Sequence, residues 1–187
     1  AEFVSELTSS GYLGVLIPEQ FGGAGLGVLE ASAVMEEICR SGAHAGVCHA
    51  QMYVMGSVLR HGSDEQKSRY LPKIASGELR LQSFGVTEPT TGTDTTSRKT
   101  TAKKVGDQYI INGQKTWTSL AKDADYIWLA ARTNPDVKKH KGISLFCIPM
   151  DTPGLSIEPL HLLSSHNINH TFFDDVRVPA STLIGEE

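Results

Sequence analysis

Apolar residues along the first 80 positions recur every three or four residues, which is the spacing of one face of an α-helix. Ala31, Met35 and Ile38 follow this spacing after a glycine-rich stretch at residues 22–27. Between residues 43 and 59, apolar side chains occupy almost every face of the predicted helix, as in a helix buried within a bundle. The first 80 residues are therefore predicted to be helical.

A further helix is predicted to begin after Ser63. Ser63 and Gln66 have the spacing of a capping box, in which each side chain bonds the backbone N–H of the other residue. Pro72 is expected to interrupt or end this helix, because proline cannot donate the hydrogen bond that a helix interior needs.

After residue 80, apolar and polar residues alternate in short runs rich in β-branched and aromatic side chains. These runs lie at residues 81–86, 100–105, 108–111, 115–118, 126–132, 143–149, 155–160 and 171–178. Asn112-Gly113, between two of them, has the composition of a two-residue hairpin turn. Closely spaced strands without intervening helices favour an antiparallel sheet. We predict an α+β multidomain chain, in which an N-terminal helical domain (1–80) precedes a middle domain (81–187) that is an antiparallel β-barrel or sandwich.

Composition narrows the classes of protein to consider. The 187 residues include 40% hydrophobic and 20% charged residues, as in an ordinary globular protein. No run of about 18 apolar residues occurs, so no membrane span is expected. A net charge of −4 without a dense basic stripe argues against nucleic-acid binding. Three widely spaced cysteines, Cys39, Cys48 and Cys147, argue against a disulfide framework and favour a reducing compartment.

The two ends of the chain lack the usual signs of a complete protein. The sequence begins in a predicted helix without an initiator Met, and it stops without a terminating feature. We therefore expect a piece of a longer protein.

Three patterns that can indicate a binding site are weak here. The glycine-rich stretch has Val28 where a dinucleotide-binding fingerprint needs glycine, which favours a tight loop before a helix. Residues 138–141 are basic and are expected to form a solvated loop, with phosphate contact as the less favoured alternative. No metal site is expected, because paired zinc-ligand spacing in a suitable element is missing among Cys39, His44, Cys48, His49, His166 and His170.

Two polar segments at strand ends are stronger candidates. Residues 84–94 crowd hydroxyls, a proline, glycines and acids into a loop after an apolar strand, and residues 115–119 bring Trp117 and hydroxyls to the end of another. An aromatic face and hydroxyl groups together could hold a planar ring rich in heteroatoms. Two polar turns and a core tryptophan explain the same residues, and the spacing leaves both interpretations open.

These segments resemble motifs of the acyl-CoA dehydrogenase family. The family's T-E-P-x-x-G-[S/T]-D loop stands here at residues 87–94, and its I-N-G-x-K-x-W-I-[ST]-N stretch at 111–120. Its F-x-D-V-x-V-P strand stands at 173–179, and residues 17–23 and 62–72 resemble two further shared stretches. Five matches in the same order, spread over nearly the whole chain, make the resemblance specific.

The resemblance implies a three-part fold, of which this chain would hold most of the N-terminal helical domain and nearly all of the middle β domain. A C-terminal helical bundle would carry the catalytic glutamate, so no catalytic residue is assigned here. Thr93 is implied to contact the acyl-CoA substrate. The residues implied to bind the FAD cofactor are Phe84, Val86, Thr87, Gly92, Thr93, Trp117, Thr118 and Ser119.

The implied activity is α,β-dehydrogenation of an acyl-CoA thioester to a 2-enoyl-CoA, with electrons passed to an electron-transfer flavoprotein. The implied full-length protein is a homo-oligomer, either a tetramer or a dimer, located in the bacterial cytoplasm or the mitochondrial matrix. Two alternatives stay open: a flavoenzyme of the same fold that uses oxygen, such as an acyl-CoA oxidase or a flavin monooxygenase, and a non-catalytic scaffold homologue.

The sequence also departs from the family motifs. Thr93 replaces the commoner serine, and Leu120 replaces a common asparagine. A K-x-G-x-R-like stretch is missing at residues 162–167, which could signal an unusual substrate.

Overall fold

The computed structural model of the chain describes residues 2–43, 45–163 and 167–187. The chain divides into two compact units, Ala1–Leu81 and Gln82–Glu187. The first unit is helical and the second is built on a β-sheet, which confirms the predicted α+β class.

The helical unit contains α1 (Glu2–Ser9), α2 (Val28–Arg40), α3 (Gly46–His61) and α4 (Asp64–Ala75), with 3-10 turns at Tyr12–Gly14 and Glu19–Phe21. Its core includes Leu13, Val15, Ile38, Cys48 and Met52. Helix α3 buries residues on most of its faces, as its sequence predicts. Among the described residues, no helix is both long enough and apolar enough to cross a bilayer.

Helix α4 confirms one prediction and corrects another. Ser63 caps the helix: its Oγ accepts from Gln66 N at 3.2 Å, and its own N–H donates to Gln66 Oε1 at 3.0 Å. The prediction that Pro72 interrupts or ends this helix is wrong, since the helix continues to Ala75. Leu71 and Ile74 are almost fully buried, and their packing offsets the hydrogen bond that proline cannot make.

The second unit is a mixed sheet formed by eight strands within the described part of the chain. They are β1 (Ser83–Gly85), β2 (Thr101–Val105), β3 (Gln108–Ser119), β4 (Tyr126–Arg132), β5 (Ile143–Pro149), β6 (Leu155–Pro159), β7 (Ile168–Pro179) and β8 (Leu183–Ile184). Their order is β6-β7-β3-β2-β4-β5-β8, and β1 pairs with β4. One core cluster of the unit includes Tyr109, Ile111, Leu129, Phe146 and Val176.

An antiparallel sheet was predicted, but the sheet is mixed, and its strands do not close into a barrel within the described residues. Strand β1 runs parallel to β4 along Ser83–Gly85, and β2 meets β4 in parallel at Thr101 and Arg132. Alternation of apolar and polar residues indicates a strand but not its direction. Strands β1 and β4 are about 40 residues apart in the chain, far enough for the backbone to return and run the same way.

The predicted hairpin turn at Asn112-Gly113 is also wrong. Both residues lie inside β3, where the pairing with β7 shifts between Ile111 and Gly113, as in a β-bulge. The chain instead reverses between β2 and β3 at Gly106, whose φ is 64°. The Asn112 side chain bonds across to Asp175, by its Nδ2 to Oδ1 and by its Oδ1 to the backbone N, both at 2.9 Å.

Candidate functional site

A buried ion pair joins the loop that follows β1 to strand β3. Nζ of Lys115 is 2.7 Å from Oε1 of Glu88, and the two side chains are 0% and 3% exposed. Burial raises the pKa of the Glu88 carboxyl, but hydrogen bonds from Lys115 and from the backbone N–H groups of Lys99 and Thr100 outweigh burial and lower the pKa to about 2. Burial lowers the pKa of Lys115 to about 8, against the opposing effect of Glu88. Both groups are therefore charged at neutral pH.

The backbone of Glu88 closes a tight turn with Thr91. Each of the two N–H groups donates to the carbonyl oxygen of the other residue, at 3.0 and 3.1 Å. Pro89 and Thr90 stand exposed at the tip of the turn. Beyond it, the Thr91 hydroxyl donates to the carbonyl oxygen of Ser97 at 3.4 Å, which folds the loop back on itself.

Asp94 holds the second half of the same loop. Its carboxylate accepts hydrogen bonds from the hydroxyls of Thr96 and Ser97. These two bonds, from Ser97 first and then from Thr96, lower the pKa of Asp94. We call these hydrogen bonds to Asp94 the Asp94 cap. Gly92 and Thr93 precede the cap and are exposed, so the loop presents them to solvent while its own hydrogen bonds hold its shape.

The peptide group between Val86 and Thr87 and the carbonyl of Thr87 are held by hydrogen bonds from two cationic side chains and from strand β3. The carbonyl oxygen of Val86 accepts from Arg98 Nε at 3.3 Å and from Lys115 Nζ at 3.4 Å. The carbonyl oxygen of Thr87 accepts from the backbone N–H of Thr116 at 2.9 Å. The two sequence segments singled out as candidates are therefore joined directly in the fold.

Trp117 stands in a β-bulge near the end of β3. Lys115 pairs with Thr171 and Thr118 with Asn169, so two residues of β3 oppose one of β7 at this point. Trp117 has a φ of 61°, in the left-handed region, and is 57% exposed. A bulge of this kind turns a side chain out of the strand's regular alternation, and here it presents the indole on the surface of the β unit.

The structure places the predicted cofactor residues in three environments. Phe84, Val86 and Thr87 are half-buried in β1 and just after it, and Gly92 and Thr93 are exposed on the loop. Trp117 and Ser119 are exposed at the end of β3. Thr118 between them is fully buried, and its hydroxyl lies 3.3 Å from that of Thr171. We call Thr87, Trp117 and Ser119 together the candidate ring site.

The ion pair beside this site is not predicted by the sequence. Glu88 and Lys115 each stand in a quoted family motif, but they are 27 positions apart and nothing in their spacing indicates contact. The Asp94 cap had a readable signal, because hydroxyl residues two and three positions after an aspartate are typical of local capping. The bulge at Trp117 had none.

The other sequence candidates lie outside the candidate ring site, although the basic turn contacts the Asp94 segment of the loop. Residues Lys139–Lys141 form an exposed 3-10 turn, and Lys139 Nζ donates to Ser97 Oγ at 3.0 Å, in keeping with a solvated loop. His44 and His166 lie outside the described residues. Among those that are described, no three His, Cys, Asp or Glu side chains come together to hold a metal ion.

Two family profiles cover most of the sequence. Residues 83–176 match the acyl-CoA dehydrogenase middle domain, and residues 1–78 match the acyl-CoA dehydrogenase N-terminal domain. The chain belongs to the acyl-CoA dehydrogenase family. The resemblance drawn from the motifs is thereby confirmed, and the curated relatives are themselves named acyl-CoA dehydrogenases.

Curated acyl-CoA dehydrogenases match along the whole chain. Acyl-CoA dehydrogenase FadE29 of Mycobacterium tuberculosis is 43% identical over 98% of this chain and 47% of its own length. FadE26 of the same organism is 39% identical over 100% of this chain and 47% of its own length. The chain thus spans about half the length of these relatives.

Solved structures of the family superpose closely. The Tcur3481-Tcur3483 steroid ACAD has a TM-score of 0.90 at 39% identity, over 99% of this chain and 48% of its own. An acyl-CoA dehydrogenase from Geobacillus kaustophilus has a TM-score of 0.92 at 34% identity, over 100% and 50%. The prolyl acyl carrier protein oxidase AnaB has a TM-score of 0.88 at 29% identity, over 98% and 50%.

Proposed function

We propose that the protein is an FAD-dependent acyl-CoA dehydrogenase, which converts an acyl-CoA thioester to a 2-enoyl-CoA and passes electrons to an electron-transfer flavoprotein. The observation that carries the proposal is the conformation of Trp117. A large aromatic residue at a φ of 61° and 57% exposed combines two unfavourable features. Such combinations cluster at ligand-binding sites, and family membership makes the flavin ring system the natural partner of this indole.

The candidate ring site fits a planar, heteroatom-rich group. Trp117 offers an aromatic face on which a ring can pack. Thr87 and Ser119 offer hydroxyls or backbone amides to ring heteroatoms. Phe84 and Val86 precede Thr87 on the same segment, and we assign them to the ring's surroundings.

The remaining assignments differ in what each residue can offer. The buried side chain of Thr118 supports the bulge through Thr171, so any contact it makes to the cofactor involves its backbone. A Cβ added at Gly92 would meet no atom within 4 Å, which leaves room for a ligand beside the loop. Thr93 is assigned to the acyl-CoA.

In the proposed reaction, the cofactor and the residues of this chain have separate roles. The chemistry that FAD supplies when bound is to accept the hydride that leaves the acyl β-carbon. The residues of this chain bind and orient the ring and the thioester. The carboxylate of Glu88 is committed to Lys115, Lys99 and Thr100, so we do not assign it as the base that removes the α-proton.

Flavin binding is the first test of the proposal. The full-length protein should copurify with FAD, and Trp117→Ala and Thr87→Ala should each lower flavin content and alter its visible spectrum. Tyr12→Ala, which removes an exposed aromatic ring from the helical unit, is the control and should leave both unchanged. Unaltered affinity in both site variants would contradict the assignment.

Thr93 tests the substrate assignment separately from the cofactor. Thr93→Val keeps the side-chain shape and removes one hydroxyl, so KM for acyl-CoA should rise roughly 5- to 30-fold, because one lost hydrogen bond is worth about 1–2 kcal/mol. Flavin content should barely change. Thr95→Val, an exposed residue on the same loop, is the matched control. An unchanged KM in Thr93→Val would remove Thr93 from the substrate site.

Anaerobic mixing with acyl-CoA separates the dehydrogenase from its alternatives. Substrate should bleach the visible absorbance of the oxidised flavin, and an electron-transfer flavoprotein should restore it faster than oxygen does. Rapid reoxidation by oxygen would indicate an oxidase, the alternative favoured by the likeness to AnaB. No bleaching by any acyl-CoA would indicate a non-catalytic homologue. Because one similar structure is titled a steroid ACAD, steroid side-chain CoA esters belong beside butyryl-CoA in the substrate panel.

We also propose a homo-oligomer, as the resemblance implies. Light scattering on the purified full-length protein should give a mass that is a multiple of the single-chain mass. A monomeric mass would contradict this part of the proposal.

A further inference from the structure

Glu88 and Lys115 form an ion pair that stability alone explains poorly. Removing two charges from water is energetically costly, and a buried pair often contributes less to stability than apolar residues of the same volume would. Here both side chains are almost completely buried, at a separation of 2.7 Å. A pair retained in such a place can instead specify one local arrangement of the backbone.

The ion pair and its remaining hydrogen bonds join three segments of the chain. The Glu88 carboxylate accepts from the backbone N–H groups of Lys99 at 2.7 Å and Thr100 at 2.9 Å, just before β2. Lys115, in β3, donates from Nζ to the carbonyl oxygen of Val86, just after β1, at 3.4 Å. The ion pair therefore ties the segment after β1, the start of β2 and the end of β3 to one another.

The orientation of one peptide group follows from these contacts. In a trans peptide the carbonyl and the following N–H point to opposite sides. Because the carbonyl of Val86 is directed at Lys115 and Arg98, the N–H of Thr87 is directed away from these cations. The carbonyl of Thr87 is in turn bonded to Thr116 N at 2.9 Å, one residue before Trp117.

We propose that Glu88 and Lys115 are positioning residues for the candidate ring site, holding the Val86–Thr87 peptide against the β3 bulge so that Thr87 and Trp117 are ordered before a ring binds. This inference rests on the proposed function, since the site is assigned there to flavin. Neither side chain touches the ring in this scheme. Their effect is preorganisation, which lowers the ordering cost of binding.

Single and paired substitutions separate positioning from simple stabilisation. Glu88→Gln and Lys115→Met each leave the other charge buried and unpaired, so both should lower the melting temperature and weaken flavin binding. The Glu88→Gln/Lys115→Met double variant removes both charges. Its melting temperature should recover most of the loss, while its flavin Kd should stay at least about tenfold above that of the unsubstituted protein, because a small misplacement of binding groups is costly.

A second readout works without flavin or activity. The β unit holds the protein's two tryptophans, the exposed Trp117 and Trp128, which is 1% exposed. Acrylamide quenching of the apo-protein therefore reports mainly on Trp117. The double variant should show an altered quenching constant if the pair orders the bulge. The flavin spectrum of the reconstituted double variant should also lose the resolved shape of a tightly held ring.

Lys104→Met is the matched control. It removes a lysine from an ion pair with Glu187 at 3.8 Å, in the same unit but exposed, and should leave flavin affinity and quenching unchanged. A double variant with unaltered flavin affinity and unaltered quenching would overturn the inference and leave a pair that only stabilises the fold. If the unsubstituted protein bound no flavin, the proposed function would fail, and the quenching comparison would still decide whether the pair orders the bulge.

Discussion

Trp117 and Leu120 share an unusual backbone conformation at the end of β3. Their φ angles are 61° and 60°, in a region that costs a residue with a Cβ roughly 1–2 kcal/mol. Asparagine tolerates this region better than most residues. The family motif commonly has asparagine where this chain has Leu120, and the φ of that residue gives a physical reason for the family's choice.

Asparagine substitutions at the two positions should therefore separate strain from function. Trp117→Asn and Leu120→Asn should each keep or raise the free energy of unfolding, by up to about 1 kcal/mol, because both relieve the φ penalty. Only Trp117→Asn should weaken flavin binding, by about tenfold or more, since it removes the indole. Urea unfolding and flavin titration measure the two effects. A loss of stability above about 1 kcal/mol in Trp117→Asn would show that the indole is a packing residue rather than a binding one.

Strand β3 combines regular strand pairing with a bulge that exposes Trp117. Its first half pairs regularly with β2 and β7, and its second half carries the bulge that presents Trp117. Between the two halves, at Gly113, the pairing shifts once more, with two residues of β7 opposite one of β3. There φ is 150°, and an added Cβ would lie 2.5 Å from Thr100 Oγ1 and 2.7 Å from Thr100 Cα. Thr100 also donates a backbone N–H to Glu88, so the crowded contact adjoins the ion pair.

Gly113→Ala should be among the most damaging single-methyl changes in the β unit. The added Cβ has no space beside Thr100, so we expect a loss of roughly 2–4 kcal/mol in the free energy of unfolding. Gly106→Ala is the control, because its φ of 64° is also unfavourable but no atom lies within 4 Å of the added Cβ. That variant should lose only about 1–2 kcal/mol. Equal losses in the two variants would show that backbone conformation, not crowding, governs both sites.

The sequence predicts features formed by neighbouring residues better than contacts between residues that are distant in the chain. The capping box at Ser63 involves residues three apart, so it was readable and is present. The Asn112-Gly113 pair favours a hairpin turn because both residues tolerate positive φ, but it lies inside β3, and only the pairing with β7 shows this. The parallel pairing of β1 with β4 and the contact between Glu88 and Lys115 join distant positions. No periodicity encodes such contacts, and family resemblance marked the residues without their geometry.

At the scale of the whole molecule, the depressed pKa of Glu88 makes global stability depend on acid. The carboxyl has a pKa of about 2 in the folded chain, against a usual value of 4.5. Between these two pH values the unfolded chain binds more protons than the folded chain, so acid favours unfolding. The stabilisation is fully present above pH 4.5 and is lost as pH falls through about 2.

The free energy of unfolding of the β unit should therefore fall between pH 5 and pH 2 by an amount to which Glu88 contributes roughly 3 kcal/mol at most. Fluorescence of the buried Trp128 reports on this unit. Glu88→Gln should flatten much of the pH dependence, with Asp94, whose pKa is also lowered, supplying part of the remainder. Glu158→Gln, which removes an exposed carboxylate of β6, should keep the full slope. An unchanged slope in Glu88→Gln would mean that the carboxyl titrates normally.

The order of strands described above has a consequence for how copies of the molecule meet one another. An open sheet has two borders, and a long border with unpaired backbone groups invites another chain to add a strand and begin aggregation. In the described residues the strand order ends at β8, only two residues long, and at β6, where Glu158 is exposed and Pro159 ends the strand. Strand β1, which pairs with β4 beside this order, is only three residues long. Such addition is disfavoured at a very short edge strand, and also at an edge strand that carries an exposed charge and a proline. The edges of the sheet in the described part of the chain therefore offer neighbouring copies a poor template for adding a strand.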